Sequence, residues 1–113
     1  MKMTEFAEKY HLHDSLVTNI AYSPEKKTVD ITLELCLWAQ DGYKEGDPEV
    51  GIAHMLFSGV SAYSDAGLIG KVDFFSILEA FTEHDTLVLS LFDDFNDVEY
   101  DLSITAQNVR LIS

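Results

Sequence analysis

The stretch "TVDITLELCLW", residues 28 to 38, carries the most regular pattern in the chain. Its apolar and mostly polar positions alternate: Val29, Ile31, Leu33, Leu35 and Leu37 fall between Thr28, Asp30, Thr32, Glu34 and Cys36. Successive side chains of a strand point to opposite faces of the sheet, so a period of two predicts one buried and one wet face. Residues 28–38 are therefore predicted to form a strand.

Similar runs surround this strand. Residues 15–22, "SLVTNIAY", are rich in strand-forming residues, and "SPEKK" supplies a charged turn, so a hairpin is predicted. Further strands are predicted at 50–60, 86–92, 98–106 and 109–112. Residues 72–81 have both helical spacing and strand-forming composition, and the composition favours a strand. The segment 40–49 is predicted to be a surface loop and 64–71 a glycine turn, and the first ten residues a helix capped by Thr4.

These elements predict a mainly β fold within a single domain, residues 1–113, with an α+β arrangement as the alternative. Six or seven short strands joined by short turns are typical of an antiparallel meander that forms a sandwich or a half-open barrel. The short helix precedes them. A chain of 113 residues is long enough to bury one ordinary core.

Composition excludes several classes of partner. Twenty acidic residues against seven Lys and Arg give a net charge of −13, which opposes binding to nucleic acid and to anionic membranes. A basic protein is the natural complement. The N-terminus lacks a signal-peptide pattern and no long apolar run occurs, so we predict a cytoplasmic protein. Cys36, the single cysteine, is predicted to be a small buried hydrophobe.

The sequence "HLHDS", residues 11 to 15, suggests a metal site but has the wrong spacing. A His-x-His-x-Asp motif needs its aspartate two places after the second histidine, whereas Asp14 directly follows His13. Asp14 and Ser15 are instead typical of residues that accept backbone N–H groups where a turn leads into a strand. We therefore expect Asp14→Ala to lower the stability by roughly 1–2 kcal/mol.

An enzymatic site is the alternative that these residues leave open. His11, His13 and His54 are candidates for a metal or small-ligand site in the mouth of a barrel. The structural interpretation of His54 is a hydrogen-bonded histidine in the core or in a pocket. No nucleophile elbow or complete metal motif is present, so we predict neither a catalytic residue nor a metal or other cofactor.

Acidic side chains on the predicted outer strand faces and in the turn "DDFND" are the candidate binding residues. They are Asp30, Glu34, Asp93, Asp94, Asp97, Glu99 and Asp101. If the sheet brings them together, their repulsion costs stability, and retaining such a cost indicates a binding surface. Excess acid kept for solubility is the alternative explanation. The run 93–101 lacks the central glycine and final glutamate of a calcium loop.

Two segments carry a resemblance to known proteins. "LHDS" (12–15), followed by a strand, a charged turn and a second alternating strand, and the terminal "DLSITAQNVRLI" (101–112) resemble a loose group of small bacterial proteins of unknown function. Some similar proteins are immunity partners encoded beside toxins. The resemblance covers about a third of the chain and implies no catalytic residue.

The leading hypothesis is a non-enzymatic, acidic protein-binding module, with an immunity protein as the role that the resemblance implies. A small-ligand or metal-assisted enzyme using His11, His13 and His54 is the alternative. Seven Phe, five Tyr and Trp38 are a heavy aromatic load, and an antiparallel sheet edge is a pairing surface. We therefore also predict self-association as a homodimer.

Overall fold

The structure is a computed structural model that describes residues 1–68 and 70–113. It contains one helix, α1 (Met3–Lys9), and a single 3₁₀ turn at Leu37–Ala39 within those residues. The strands are β1 (Leu16–Ser23), β2 (Thr28–Cys36), β3 (Val50–Ser64), β4 (Phe75–Glu83), β5 (Thr86–Asp93) and β6 (Val98–Ile112). The mainly β prediction with a short N-terminal helix is confirmed.

The six strands form a closed antiparallel barrel in the order β1-β2-β3-β6-β5-β4. Two three-stranded meanders, β1-β2-β3 and β4-β5-β6, are joined where the long strands β3 and β6 pair. The ring closes between β1 and β4, where Leu16 and Val17 pair with Ser76 and Phe75. Each strand therefore has a neighbour on both sides, although β1 and β4 pair at only two residue pairs.

The alternating apolar side chains point into the barrel and form one core. Ile31, Leu33, Met55, Leu89 and Leu102 are among its fully buried members. We call the end with the turns 24–27 and 94–97 the upper end. Leu68, in the β3–β4 connection at that end, is fully buried. The helix α1 lies at the lower end, where it packs against β4, β5 and β6 and buries Met3 and Phe6.

Several predicted boundaries shift. Residues 72–81 do contain a strand, but it begins at Phe75, and 109–112 is the last part of β6 rather than a seventh strand. The first strand hairpin and the 86–106 hairpin are confirmed.

Trp38 lies beyond the end of β2, in the 3₁₀ turn. The N-cap of α1 is Lys2, without a side-chain hydrogen bond, so the Thr4 prediction is wrong. The predicted glycine turn at 64–71 includes residue 69, which lies outside the described residues.

A bulge between Val60 and Ala62 shifts the register between β3 and β6. Gly59 lies just before it, in the regularly paired part of the ladder. Gly59 has φ +64°, and a Cβ there would meet the Gln107 side chain at 2.8 Å, so both conformation and space require glycine. Below the bulge, Ser58 pairs with Asn108 and Leu56 with Arg110. This part of the ladder places Arg110 beside Leu56 on the outer surface of the barrel.

At the start of β1, the Ser15 side chain accepts a backbone hydrogen bond and the Asp14 side chain does not. The buried Ser15 Oγ accepts the Cys36 backbone N–H at 3.0 Å, which ties β1 to β2. The exposed Asp14 carboxylate lies 3.3 Å from His13 Nδ1 and accepts no backbone hydrogen bond among the described residues. Asp14 has φ 68°, and its own N–H donates to the Ile77 carbonyl. The turn interpretation of "HLHDS" holds for Ser15 and is wrong for the Asp14 side chain.

Candidate functional site

The predicted acidic residues lie in two separate groups. Asp30 and Glu34 are on the outer face of β2, which pairs with β1 and β3. The others belong to the hairpin of β5 and β6, where Glu99 pairs with Phe92 and Asp101 with Ser90. Because β3 separates β2 from β6, and Glu99 and Asp101 lie in the part of β6 that pairs with β5, the two groups do not form one continuous surface.

Asp93 shapes the tip of that hairpin. Its Oδ1 accepts the backbone N–H groups of Phe95 (3.0 Å) and Asn96 (3.2 Å), and its Oδ2 accepts the Asn96 side-chain amide at 2.7 Å. Asp97 follows with φ 56°, the left-handed conformation that reverses the chain into β6. The Asp93 side chain therefore forms hydrogen bonds within the turn, and the exposed carboxylates of the tip belong to Asp94 and Asp97.

The turn exposes a large aromatic ring. Phe95 is 94% exposed, the highest value among the exposed large apolar residues. Phe74, at the start of β4, is 52% exposed, and Val98 is also exposed. Ser76 pairs with Phe92, and its Oγ donates to Asp94 Oδ2 at 3.4 Å, so Phe74 lies at the same corner of the barrel as the hairpin. We call Phe74, Asp94, Phe95, Asp97 and Val98 the hairpin tip.

The pH dependence of folding tests the role of Asp93. Hydrogen bonds from the Asn96 side chain and from the backbone hold the pKa of Asp93 below its ordinary value of 3.8. A carboxyl whose pKa is lower in the folded state stabilises the fold above its unfolded pKa and loses that contribution as the pH falls through the folded value. We expect Asp93→Asn to be less stable than the parent at pH 6, and the difference to shrink below pH about 3.8. Parallel melting curves at pH 6 and pH 3 measure it, and a difference independent of pH would contradict this role.

The three candidate histidines lie beside three different carboxylates. The His11 ring is 3.4 Å from Asp41, His13 is 3.3 Å from Asp14, and His54 Nδ1 is 3.1 Å from Asp30. Within residues 1–68 and 70–113, no group of three or more His, Cys, Asp or Glu side chains is arranged to hold a metal ion. The structure thus gives no shared site for His11, His13 and His54.

His54 belongs to the outer face of the sheet. It pairs with Thr32 on β2, and its Nδ1 lies 3.3 Å from Thr32 Oγ1 as well as near Asp30. Beside it is a shallow concavity of about 470 Å³ with Asp30 on one side, Arg110 on the other, and Leu56 between them. The hydrogen-bonded histidine was predicted, but its position on the outer surface was not.

Sequence reasoning missed two features. It interpreted "DDFND" as a polar turn and gave Phe95 no role, although a phenylalanine within a four-residue turn between strands cannot reach the core. It also assigned β3 to a strand covered on both faces, whereas its outer residues Val50 and Ile52 are exposed. Cys36 is buried, as predicted.

Comparison with known proteins finds no matching protein-family model, no similar curated protein and no similar solved structure. In the part of the chain that the structure describes, no helix has the length and apolar character needed to cross a membrane.

Proposed function

We propose that this chain is a non-enzymatic protein-binding module that docks through its hairpin tip on a basic protein. The observation that supports the proposal is the 94% exposure of Phe95 between acidic residues in an ordered turn. An exposed phenylalanine costs solubility, and aromatic side chains are enriched where one protein inserts into a pocket of another. Phe74 and Val98 are exposed at the same corner of the barrel, so the tip offers more than one apolar side chain.

The surrounding charge specifies the kind of partner. Asp94 and Asp97 flank Phe95, Glu99 follows on β6, and the whole chain has a net charge of −13. An apolar centre with a charged rim is the usual anatomy of a protein interface, and the rim mainly affects association rate and selectivity. A pocket lined by apolar residues and rimmed by Lys or Arg is the complement of this tip.

The backbone conformation of the turn is already fixed in the free protein. The hydrogen bonds of Asp93 fix the backbone of Phe95 and Asn96, so little backbone entropy remains to be lost on association. Phe95 has only two side-chain torsions to order. A basic toxin paired with this chain is one partner of the proposed kind, and the sequence resemblance to immunity proteins supports it.

A differential capture experiment tests the proposal. Parent protein, Phe95→Ser and Phe81→Ser are immobilised and exposed to lysate of the source cells at low salt, and bound proteins are quantified by mass spectrometry. Phe81 is the matched control, since it is an exposed phenylalanine on the outer face of β4. We expect a basic protein to bind the parent and Phe81→Ser but to bind Phe95→Ser about 30-fold more weakly, the effect of losing a central aromatic contact. Equal recovery on all three proteins, or recovery on none, would refute the proposal.

A further inference from the structure

The outer face formed by β2, β3 and β6 combines exposed apolar side chains with opposite charges on its two flanking strands. Its middle strand exposes apolar side chains: Ile52 is 67% exposed and Val50 is 48% exposed, and Leu56 is half-buried. Isolated apolar residues on a surface are ordinary, but here Val50, Ile52 and Leu56 share one face of one strand, with His54 between Ile52 and Leu56. We call this surface, from Val50 to Ser58 with its flanking strands, the three-strand face.

Opposite charges flank the apolar line at equal distances. Asp30 on β2 and Arg110 on β6 each pair with Leu56, one on either side. Arg110 is the single arginine of the chain, its side chain is exposed, and no carboxylate of the described residues lies within salt-bridge distance of it. In a chain with 20 acidic residues, this cation has no partner within its own described surface.

We infer that the three-strand face binds a second copy of the chain through a two-fold axis that runs along β3. Neighbouring strands lie about 4.8 Å apart, so Asp30 and Arg110 are displaced by the same amount to opposite sides of the axis. A half-turn about β3 exchanges those sides and places Asp30 of each copy over Arg110 of the other. It also stacks Ile52 on Ile52 and Leu56 on Leu56, with the His54 side chains of the two copies facing each other between them, in the aligned arrangement of sheets that pack face to face.

This self-complementarity is the reason for choosing a second copy as the occupant. Each chain contributes one Asp30 and one Arg110, so the dimer contains two ion pairs between the copies. These pairs lie on either side of the concavity of about 470 Å³ that separates Asp30 from Arg110. Two chains of net charge −13 repel each other at long range, whereas the contact itself is apolar at its centre. Salt at about 0.1 M screens the repulsion between charges that lie more than about 10 Å apart and should therefore strengthen the dimer.

Charge reversal at the two positions tests the axis directly. Asp30→Arg places arginine over arginine in a homodimer, and Arg110→Asp places aspartate over aspartate, so each variant alone should be monomeric. Their equimolar mixture pairs arginine with aspartate at both contacts and should form a heterodimer. Sedimentation velocity measures the masses, with the parent expected at twice the monomer mass of 12.7 kDa. Each single reversal should raise the dimer dissociation constant about 100-fold or more, because like charges meet at the contact.

A charge reversal at Asp30 also removes its hydrogen bond with His54, so a second variant tests the same face without changing that bond. Ile52→Asp changes a side chain that is already 67% exposed, so the monomer should fold with an unchanged melting temperature and fail to dimerise. Leu78→Asp, at an exposed position on β4, is the matched control and should dimerise like the parent. A monomeric parent at high concentration, an Ile52→Asp dimer, or reversed variants that do not pair when mixed would each overturn the inference. The hairpin tip is not part of this face, so Phe95→Ser should dimerise normally whatever its partner binding.

Discussion

Truncating Phe6 to alanine is expected to lower the free energy of unfolding by about 3–5 kcal/mol, the usual cost of removing a fully buried phenylalanine. Phe6 lies on the inner side of α1 with no exposed surface, and its ring contacts Tyr10 at a centroid distance of 4.9 Å. Since α1 lies at the lower end of the barrel, the lost ring leaves a cavity there that the rigid strands cannot fill. In a domain of this size the melting temperature should fall by roughly 10–20 °C.

The control for this prediction is on the opposite side of the same helix. Glu8 is exposed, so Glu8→Ala should change the stability by no more than about 0.5 kcal/mol. Thermal melts followed by circular dichroism at 222 nm and by tryptophan fluorescence provide the comparison. A Phe6→Ala protein that melts within about 3 °C of the parent would mean that α1 does not contribute to the core as described.

Replacing Ser15 by alanine is expected to cost about 1–3 kcal/mol. The Ser15 hydroxyl accepts the Cys36 N–H at 3.0 Å, and its carbonyl accepts the Ile77 N–H at 2.9 Å, so this residue joins β1, β2 and β4 where the barrel closes. Alanine keeps the backbone bond but leaves the Cys36 N–H without its partner in a buried position. The melting temperature should fall by roughly 5–10 °C.

Asp14→Asn is the matched control for Ser15→Ala, because asparagine tolerates the φ of 68° that position 14 requires. Its side chain is exposed and near only His13, so the stability should change by less than about 0.5 kcal/mol. Equal losses for both variants would restore the role first expected for the Asp14 carboxylate. Chemical denaturation with urea gives the two free energies on one scale.

The strands were predictable because alternation is a local property. The pattern from Val29 to Leu35 specifies a strand with one buried face whatever its neighbours are, and β2 follows it over Thr28–Cys36. The segment 72–81 was ambiguous because Val72, Phe75, Leu78 and Phe81 have helical spacing, whereas its Phe and Ile content favours a strand. In the structure this segment pairs with β1 and β5 as a strand. Such pairing is a tertiary effect that overrides local propensity.

The pairing of β3 with β6 and the positions of functional side chains could not be predicted in the same way. Arg110 lies beside Leu56 because of the long-range pairing of β3 with β6, which has a bulge between Val60 and Ala62, and a local sequence pattern reveals neither this register nor the bulge. For the same reason Asp30 and Glu99 looked equivalent in sequence although different strand pairs carry them. Phe95 was within reach of sequence reasoning, since a ring in the middle of a turn has no core to enter.

The most direct measurement for the proposed function is a site-specific cross-link from the hairpin tip. Full-length protein carrying the photoreactive residue p-benzoylphenylalanine in place of Phe95 is irradiated in lysate of the source cells, beside a protein with the same replacement at Phe81. The proposal predicts an adduct with a basic protein from position 95 only, weakening as the salt concentration rises because the rim of the tip is acidic. The same adduct in equal yield from position 81, or no adduct from position 95, would contradict it.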